Sequence, residues 1–459
     1  MIATTPALEE PIGSDADLFH VFDESKKPRD LWRVGAEMEK FGVHAETGEP
    51  LHYAGPRGVL AVMEALVARN GWTPEAEKPS GPVIMLTKGQ AQITLEPGSQ
   101  FELSGAPLLT VHEICTEFGD HMTELAPISK ELGIAWMGLG FHPFAKRSDL
   151  NFVPKSRYRI MREYLPTRGA LALDMMLRTC TVQANFDYAD EADALRKMRV
   201  GLRLSPLTTA IFANSPWYEG APYGGVTYRG KVWLEVDPDR SGLLPCLLTE
   251  GASYERYVDW ALDVPMFLVK RGAEFLANTG QTFRSYWKNG FQGHRATQGD
   301  WQLHLNTLFP EVRLKKTIEI RGADAQGTAT RCALPALWTG IYYDDKALGE
   351  ADALTADWKH EELVALRKEL WQKGLRASFR GKPLSALAER VVEIAEGGLE
   401  RRGYKRDDGM DERVHLKRLK ELVSRGMTPA NKLLEGMDKV GATVADFRRE
   451  VMRRSDLSR

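Results

Sequence analysis

The chain has 459 residues, 43% of them hydrophobic and 27% charged, with a formal net charge of −2. That composition supports a sizeable core and excludes wholesale disorder, and the near-neutral balance argues against a general nucleic-acid binder, which would carry a basic excess or stripe. The length fits two or three domain-sized units, or one large catalytic unit with an appendage, and no apolar run approaches the ~20 residues that span a bilayer.

Residues 1–30 are polar with scattered Pro and Asp, and predict a lead-in with a short helix. The first 14 lack the residue order of a signal or transit peptide, so a soluble, cytoplasmic protein is expected. Residues 34–42 (VGAEMEKFG) have little helical character. In a strand, residues two apart share a face, so Glu37 and Glu39 would project side by side and repel. On their own they could be an exposed, solvated strand face; a hard divalent metal between them is the functional alternative. A turn at Thr47-Gly48 follows, then a helix opened by Pro56 and closed by Asn70-Gly71.

Between 83 and 103 the pattern is that of antiparallel strands with one apolar and one polar face. Gln92, Thr94 and Glu96 alternate with Ile93 and Leu95, Pro97-Gly98 turns, and Gln100 and Glu102 alternate with Phe101 and Leu103. A helix over 108–132 and a strand over 134–141 come next. Residues 154–166 hold Arg157, Arg159 and Arg162, either a solvated helix face or guanidinium forks for carboxylate or phosphate oxygens. Thr181, Gln183 and Asn185 alternate with Val182 and Ala184 and aim amides at one face. Asp190-Glu191 starts a helix that Pro206 would kink or divide. The Gly-rich loop at 219–225 lacks P-loop spacing; Arg229, Lys231 and Arg240 lie in the turn-rich stretch after it.

Residues 254–270 predict a helix broken by Pro265, and 279–301 a loop or lid. The last strand signal is 311–324, where Thr317, Glu319 and Arg321 alternate with Ile318 and Ile320, followed by an aromatic helix over 332–343. From about Trp358 the spacing of leucines and valines is helical. The expected organisation is a lead-in (1–30), a catalytic domain (31–350) and a helical C-terminal part packed on it (351–459). Cys115, Cys180, Cys246 and Cys332 are far apart with no Cys-x-x-Cys, so neither a zinc site nor a disulfide framework is signalled; each is expected to pack as a small hydrophobe.

Four strand-like segments thus carry polar same-face pairs: Glu37/Glu39, Gln100/Glu102, Gln183/Asn185 and Glu319/Arg321, with Glu96 nearby. Four or five carboxylates lining one concave face require cations. Several Mg²⁺ ions plus a nucleotide polyphosphate would balance them, which predicts a metal- and ATP-dependent enzyme.

The stretches WRVGAEMEKFGV, ITLEPGSQFELSGAPL, SRYRIMREYLP, LALDMMLRTCTVQANFDY and FPEVRLKKTIEIRGAD resemble plant-type glutamate–cysteine ligase, in order from about Asp30 to Met437. The resemblance implies an α+β, glutamine-synthetase-like fold with a curved, mostly antiparallel sheet flanked by helices. It also implies ATP-dependent joining of the L-glutamate γ-carboxylate to the amine of L-cysteine. Residue by residue it makes Glu37, Glu39, Glu96, Glu102 and Glu319 ligands of two or three Mg²⁺ ions, with Gln100 nearby. It puts Gln183 beside metal and nucleotide, and Arg321 against the group in transfer, with Glu319 and Arg321 as the catalytic pair. Arg157, Arg159, Arg229, Arg240, Thr181 and Asn185 are expected near substrate or nucleotide. A monomer or loose homodimer is expected, with no nucleic-acid or membrane partner. The stretch 275–293 lacks the cysteines of a plant redox-regulatory pair, so disulfide switching of the plant kind is expected to be absent. Rival readings are another amine acceptor on the same fold, an inactive binding homologue, and a metallohydrolase using the same carboxylates.

Overall fold

The computed structural model describes residues 6–441 and 443–457; the first five residues of the expected lead-in lie outside them. Nine strands form the principal sheet: β1 (Val34–His44), β2 (Thr73–Ala76), β3 (Val83–Lys88), β4 (Ala91–Leu95), β5 (Phe101–Ser104), β6 (Ile134–Met137), β7 (Val182–Phe186), β8 (Val312–Leu314) and β9 (Ile318–Ile320). Their spatial order is β8-β9-β7-β1-β5-β4-β3-β2, with β6 on the far half of β1, and every pairing is antiparallel. Strand β1 is central because its first half is paired on both edges, to β5 and to β7. Its Val34, Ala36 and Met38 are buried on the apolar face, and alternation sends Glu37 and Glu39 to the other.

Helices cover the apolar face. The helix Val111–Leu132 starts on a reciprocal cap between Thr110 and Glu113 and stops at Gly133 in the left-handed region, the chemistry expected of both ends. Its Ile114, Phe118 and Leu125 are fully buried. The helix Glu191–Ile211 runs through Pro206 as one element, so of the two expected outcomes, a kink or a division, the division does not occur. Proline leaves the carbonyl four residues back without its N–H, and here the Ser205 hydroxyl donates to Leu202 O at 3.0 Å.

Three further expectations are corrected. Residues 311–324 are not one strand but the hairpin β8/β9, which sets Arg313 directly opposite Glu319. Residues 268–270 belong to a small hairpin, Leu268–Arg271 with Glu274–Ala277. The supposed loop or lid at 279–301 contains the helix Phe283–Asn289 and the first turn of Gln298–Asn306, started by Thr282 and Thr297. Asp300 anchors this region by accepting from Arg271, Tyr286 and Thr297.

The C-terminal part is helical as its spacing predicts. Leu384–Arg402 lies against Ala333–Tyr342 so closely that a Cβ on Gly398 would sit 1.8 Å from Gly340 O, an approach only glycine permits. The chain then returns to the sheet, Leu457 N donating to Trp136 O at 3.0 Å. One hydrophobic core runs from Ile12 to Leu457, across both expected boundaries. Among the described residues no helix is long and apolar enough to cross a membrane. The reading of the cysteines is also corrected: Cys115 and Cys332 form a disulfide across 217 residues, while Cys180 and Cys246 are free.

Candidate active site

The polar face of β1, β5 and β7 opens into a cavity of about 400 Å³ whose walls include Glu37, Glu39, Glu96, Glu102, Thr181, Gln183, Arg157, Arg229, Arg313 and Arg321. Register explains the convergence. Glu39 faces Glu102 across β1/β5, and Glu37 faces Gln183 across β1/β7. Glu96 joins from the turn after β4, where Ser99 N donates to Glu96 O at 3.0 Å. That turn sits so tightly on the 176–179 segment that a Cβ on Gly98 would lie 2.4 Å from Leu177 O. Gly98→Ala is therefore expected to destabilise the chain by about 1–3 kcal/mol, read as a lower urea midpoint.

The four carboxylates of Glu37, Glu39, Glu96 and Glu102 have neutral partners or none. Glu37 accepts from Asn185 Nδ2 at 2.9 Å, Glu39 from Thr181 N at 2.9 Å, and Glu102 from the hydroxyls of Thr94 and Ser104. Among the described residues none of the four has a side-chain ion pair. Burial, then the charges of Glu102 and Glu319, push the Glu37 carboxyl up to about 8. Burial, Glu102 and Glu96 raise Glu39 well above the ordinary range. These are hard oxygen donors in want of positive charge, which suits an oxygen-seeking divalent cation. No three of their oxygens close within 4.8 Å of one another among the described residues. A cation here would therefore keep open positions for phosphate oxygens and water, a habit of Mg²⁺.

Glu319 differs. Arg313 Nε and Nη2, Lys315 Nζ and Arg321 Nη1 donate to its two oxygens at 2.6–3.0 Å. Burial opposes its ionisation, and Arg313, Lys315 and Arg321 together outweigh that and hold it well below the usual carboxylate range. Its geometry is that of an anchor for Arg321, whose Nη1 also reaches Gln183 Oε1 at 2.9 Å. A metal would have to displace these cations to reach it. Arg313 and Lys315 are site residues that strand alternation alone does not reveal, since no Gly, Pro or Asn marks the hairpin turn between β8 and β9.

The other predicted residues divide. Arg229 is buried in the cavity wall, donates to Arg321 O at 2.9 Å and keeps its Nε without a partner. Arg157 lines the cavity, whereas Arg159, two residues on, is exposed. Asn185 clamps Glu37 and accepts from Thr317, and the Thr181 hydroxyl donates to Ala323 O at 2.6 Å. Gln100 borders the cavity, but its amide is engaged by Gly98 N, Met176 O and Thr179 O, so it holds the Glu96 turn in place. Arg240 lies outside the cavity: fully buried, it binds Asp237, Thr307 O and Pro265 O and stacks 3.8 Å from the Phe267 ring centroid. It buttresses the wall that Phe267 and Thr307 form.

The sequence model of Glutamate-cysteine ligase family 2 (GCS2) matches residues 33–453. The chain is 42% identical over 441 residues to glutamate–cysteine ligase B, chloroplastic, of Oryza sativa subsp. japonica, covering 94% of this chain and 87% of that protein. It is 42% identical over 443 residues to the chloroplastic glutamate–cysteine ligase of Arabidopsis thaliana, covering 95% and 83%. A crystal structure of glutamate–cysteine ligase from Francisella tularensis in complex with AMP superposes with a TM-score of 0.56 at 11% identity, covering 92% of this chain and 88% of that one. That match shows the shared glutamine-synthetase-like fold. With a family match across nearly the whole chain and close relatives of the same name, the chain belongs to glutamate–cysteine ligase family 2.

Proposed function

We propose that the chain joins the γ-carboxylate of L-glutamate to the amine of L-cysteine with hydrolysis of ATP to ADP and phosphate, in the presence of Mg²⁺. The observation that carries this reading is the set of four carboxylates without ion-pair partners facing arginines across one cavity, in a chain of this family. Glu37, Glu39, Glu96 and Glu102 would hold the cations, which when bound neutralise polyphosphate charge. Arg321, fixed by Glu319 and Gln183, presents its guanidinium to the phosphoryl group passing from ATP to the γ-carboxylate. Arg229 and Arg157 add positive charge on the flanks. The acyl phosphate so formed is attacked by the amine, phosphate leaves and the amine loses a proton. No side-chain nucleophile is required, so positioning and charge stabilisation carry the rate.

ADP release is expected only when ATP, Mg²⁺, glutamate and an amine acceptor are all present, with γ-glutamylcysteine as the product identified by mass spectrometry. A strong preference for an acceptor other than cysteine in an amine panel would move the assignment to another γ-glutamyl ligase. ADP release without glutamate would make the chain a hydrolase.

A further inference from the structure

Outside the cavity, three remote segments bring metal-ligating side chains together. His112 and Cys115 lie on adjacent turns of the helix Val111–Leu132, three residues apart and so on one face. Cys332 immediately precedes the helix Ala333–Tyr342, and His415 lies on the short 3-10 turn Glu412–Leu416. The two sulfurs and one nitrogen of His415 all lie within 4.8 Å of one another. His415 Nε2 is 2.9 Å from His112 Nδ1, and His112 Nε2 is buried without a hydrogen-bond partner. Glu412 fixes the 412–416 turn by accepting from Val111 N at 2.7 Å and from Arg402.

We infer that the dithiol form of Cys115 and Cys332, with His415, is a binding site for a thiophilic divalent cation of the Zn²⁺ class, with His112 beside it as the partner of His415. Two thiolates and one imidazole are a zinc donor set with a fourth position left for water, and Mg²⁺ shuns them. The Cα atoms of Cys115 and Cys332 are 5.8 Å apart. Side-chain rotation alone can therefore separate the sulfurs to the roughly 3.8 Å that tetrahedral Zn–S bonds of about 2.3 Å demand. Disulfide and metal exclude one another. A dithiol reductant passes two electrons and two protons to the S–S bond, leaving two thiols here and a disulfide on the reductant; the cation then displaces the two thiol protons.

The test uses the full chain and Co²⁺ as the probe, with excess Mg²⁺ present to occupy the carboxylates. Reduced protein is expected to bind one equivalent of Co²⁺, with a thiolate-to-cobalt charge-transfer band and tetrahedral d–d bands that carboxylates cannot produce, bleached by Zn²⁺. The oxidised protein shows neither. Cys332→Ser abolishes the bands, and His415→Ala weakens Co²⁺ binding by at least about 10-fold. The inference is overturned if reduced, natively folded wild type gives no charge-transfer band. It is equally overturned if the band survives Cys332→Ser undiminished, which would show that Cys332 is not a ligand, or if His415→Ala binds Co²⁺ undiminished. The oxidised–reduced comparison decides even where a variant fails to fold.

Discussion

Glu37→Gln is expected to lower kcat for glutamate- and cysteine-dependent ADP release by on the order of 10²–10³-fold, while the chain stays folded and gains stability at alkaline pH. Glu37 shares the cavity with Glu39 and Glu102 and, among the described residues, has only the Asn185 amide as a hydrogen-bond partner. Its carboxyl is raised from 4.5 to about 8 in the folded chain, first by burial and then by Glu102 and Glu319. Between those values the folded state holds a proton that the unfolded state has released. Stability from this group is therefore present at low pH and lost as pH rises from about 4.5 through about 8. Glutamine keeps the shape and the Asn185 contact but cannot ionise, so the variant lacks that slope. At the proposed site Mg²⁺ would compete with the proton for the same oxygens, so wild type is expected to gain Tm on Mg²⁺ addition near pH 8 and little near pH 5. Thermal melts across pH, with and without Mg²⁺, read both effects. Full activity in Glu37→Gln, or a wild type whose Tm ignores Mg²⁺ at pH 8, would remove Glu37 from the metal site.

Arg313→Ala is expected to be the most damaging single change to the fold around the site, at about 3–5 kcal/mol. The guanidinium is buried at 6% exposure. It donates twice to Glu319 and also to the carbonyls of Asn306 and Leu308, both at 2.8 Å. Removing it leaves a buried carboxylate with two of its three cations and two carbonyls without a donor. Arg321→Ala should show the opposite balance. Glu319 then keeps Arg313 and Lys315, so the urea midpoint moves less, while kcat falls steeply if Arg321 meets the phosphoryl group as proposed. Equal stability losses in the two variants would contradict this division of labour.

The polar faces of β1, β5 and β7 were legible because a period of two survives whatever packs above it. Glu37, Glu39, Glu102 and Gln183 follow from alternation alone, and the structure sets them side by side. What alternation cannot reveal is where the chain reverses without punctuation. Lys315 and Lys316 read as continuing strand, so Arg313 was not placed opposite Glu319. Nor does it distinguish one arginine from another. Arg157 and Arg159 are two apart on a helix and point to nearly opposite sides, one to the cavity and one to solvent. Arg240 belongs to the cavity's backing because Asp237 and two carbonyls surround it, partners known only after folding. The 279–301 segment looked like a lid because Gly and polar residues are frequent there. Its Thr297-x-x-Asp300 box was the overlooked helix signal. The Cys115–Cys332 bridge spans 217 residues and leaves no spacing motif to read.

The central position of β1 also governs when the site can exist. Its partner β5 follows about 60 residues later, but Glu37 meets Asn185 across 148 residues, and Asn185 meets Thr317 of the last hairpin across another 132. Contacts this distant form slowly, because a long loop must close before they are rewarded. A ribosome must therefore release the chain past Arg321 before the carboxylate face has its counter-charged edge. Until then Glu37, Glu39 and Glu102 can remain hydrated. The burial of these carboxylates in a closed cavity is thus deferred to the last stage of folding, when β9 docks on β7.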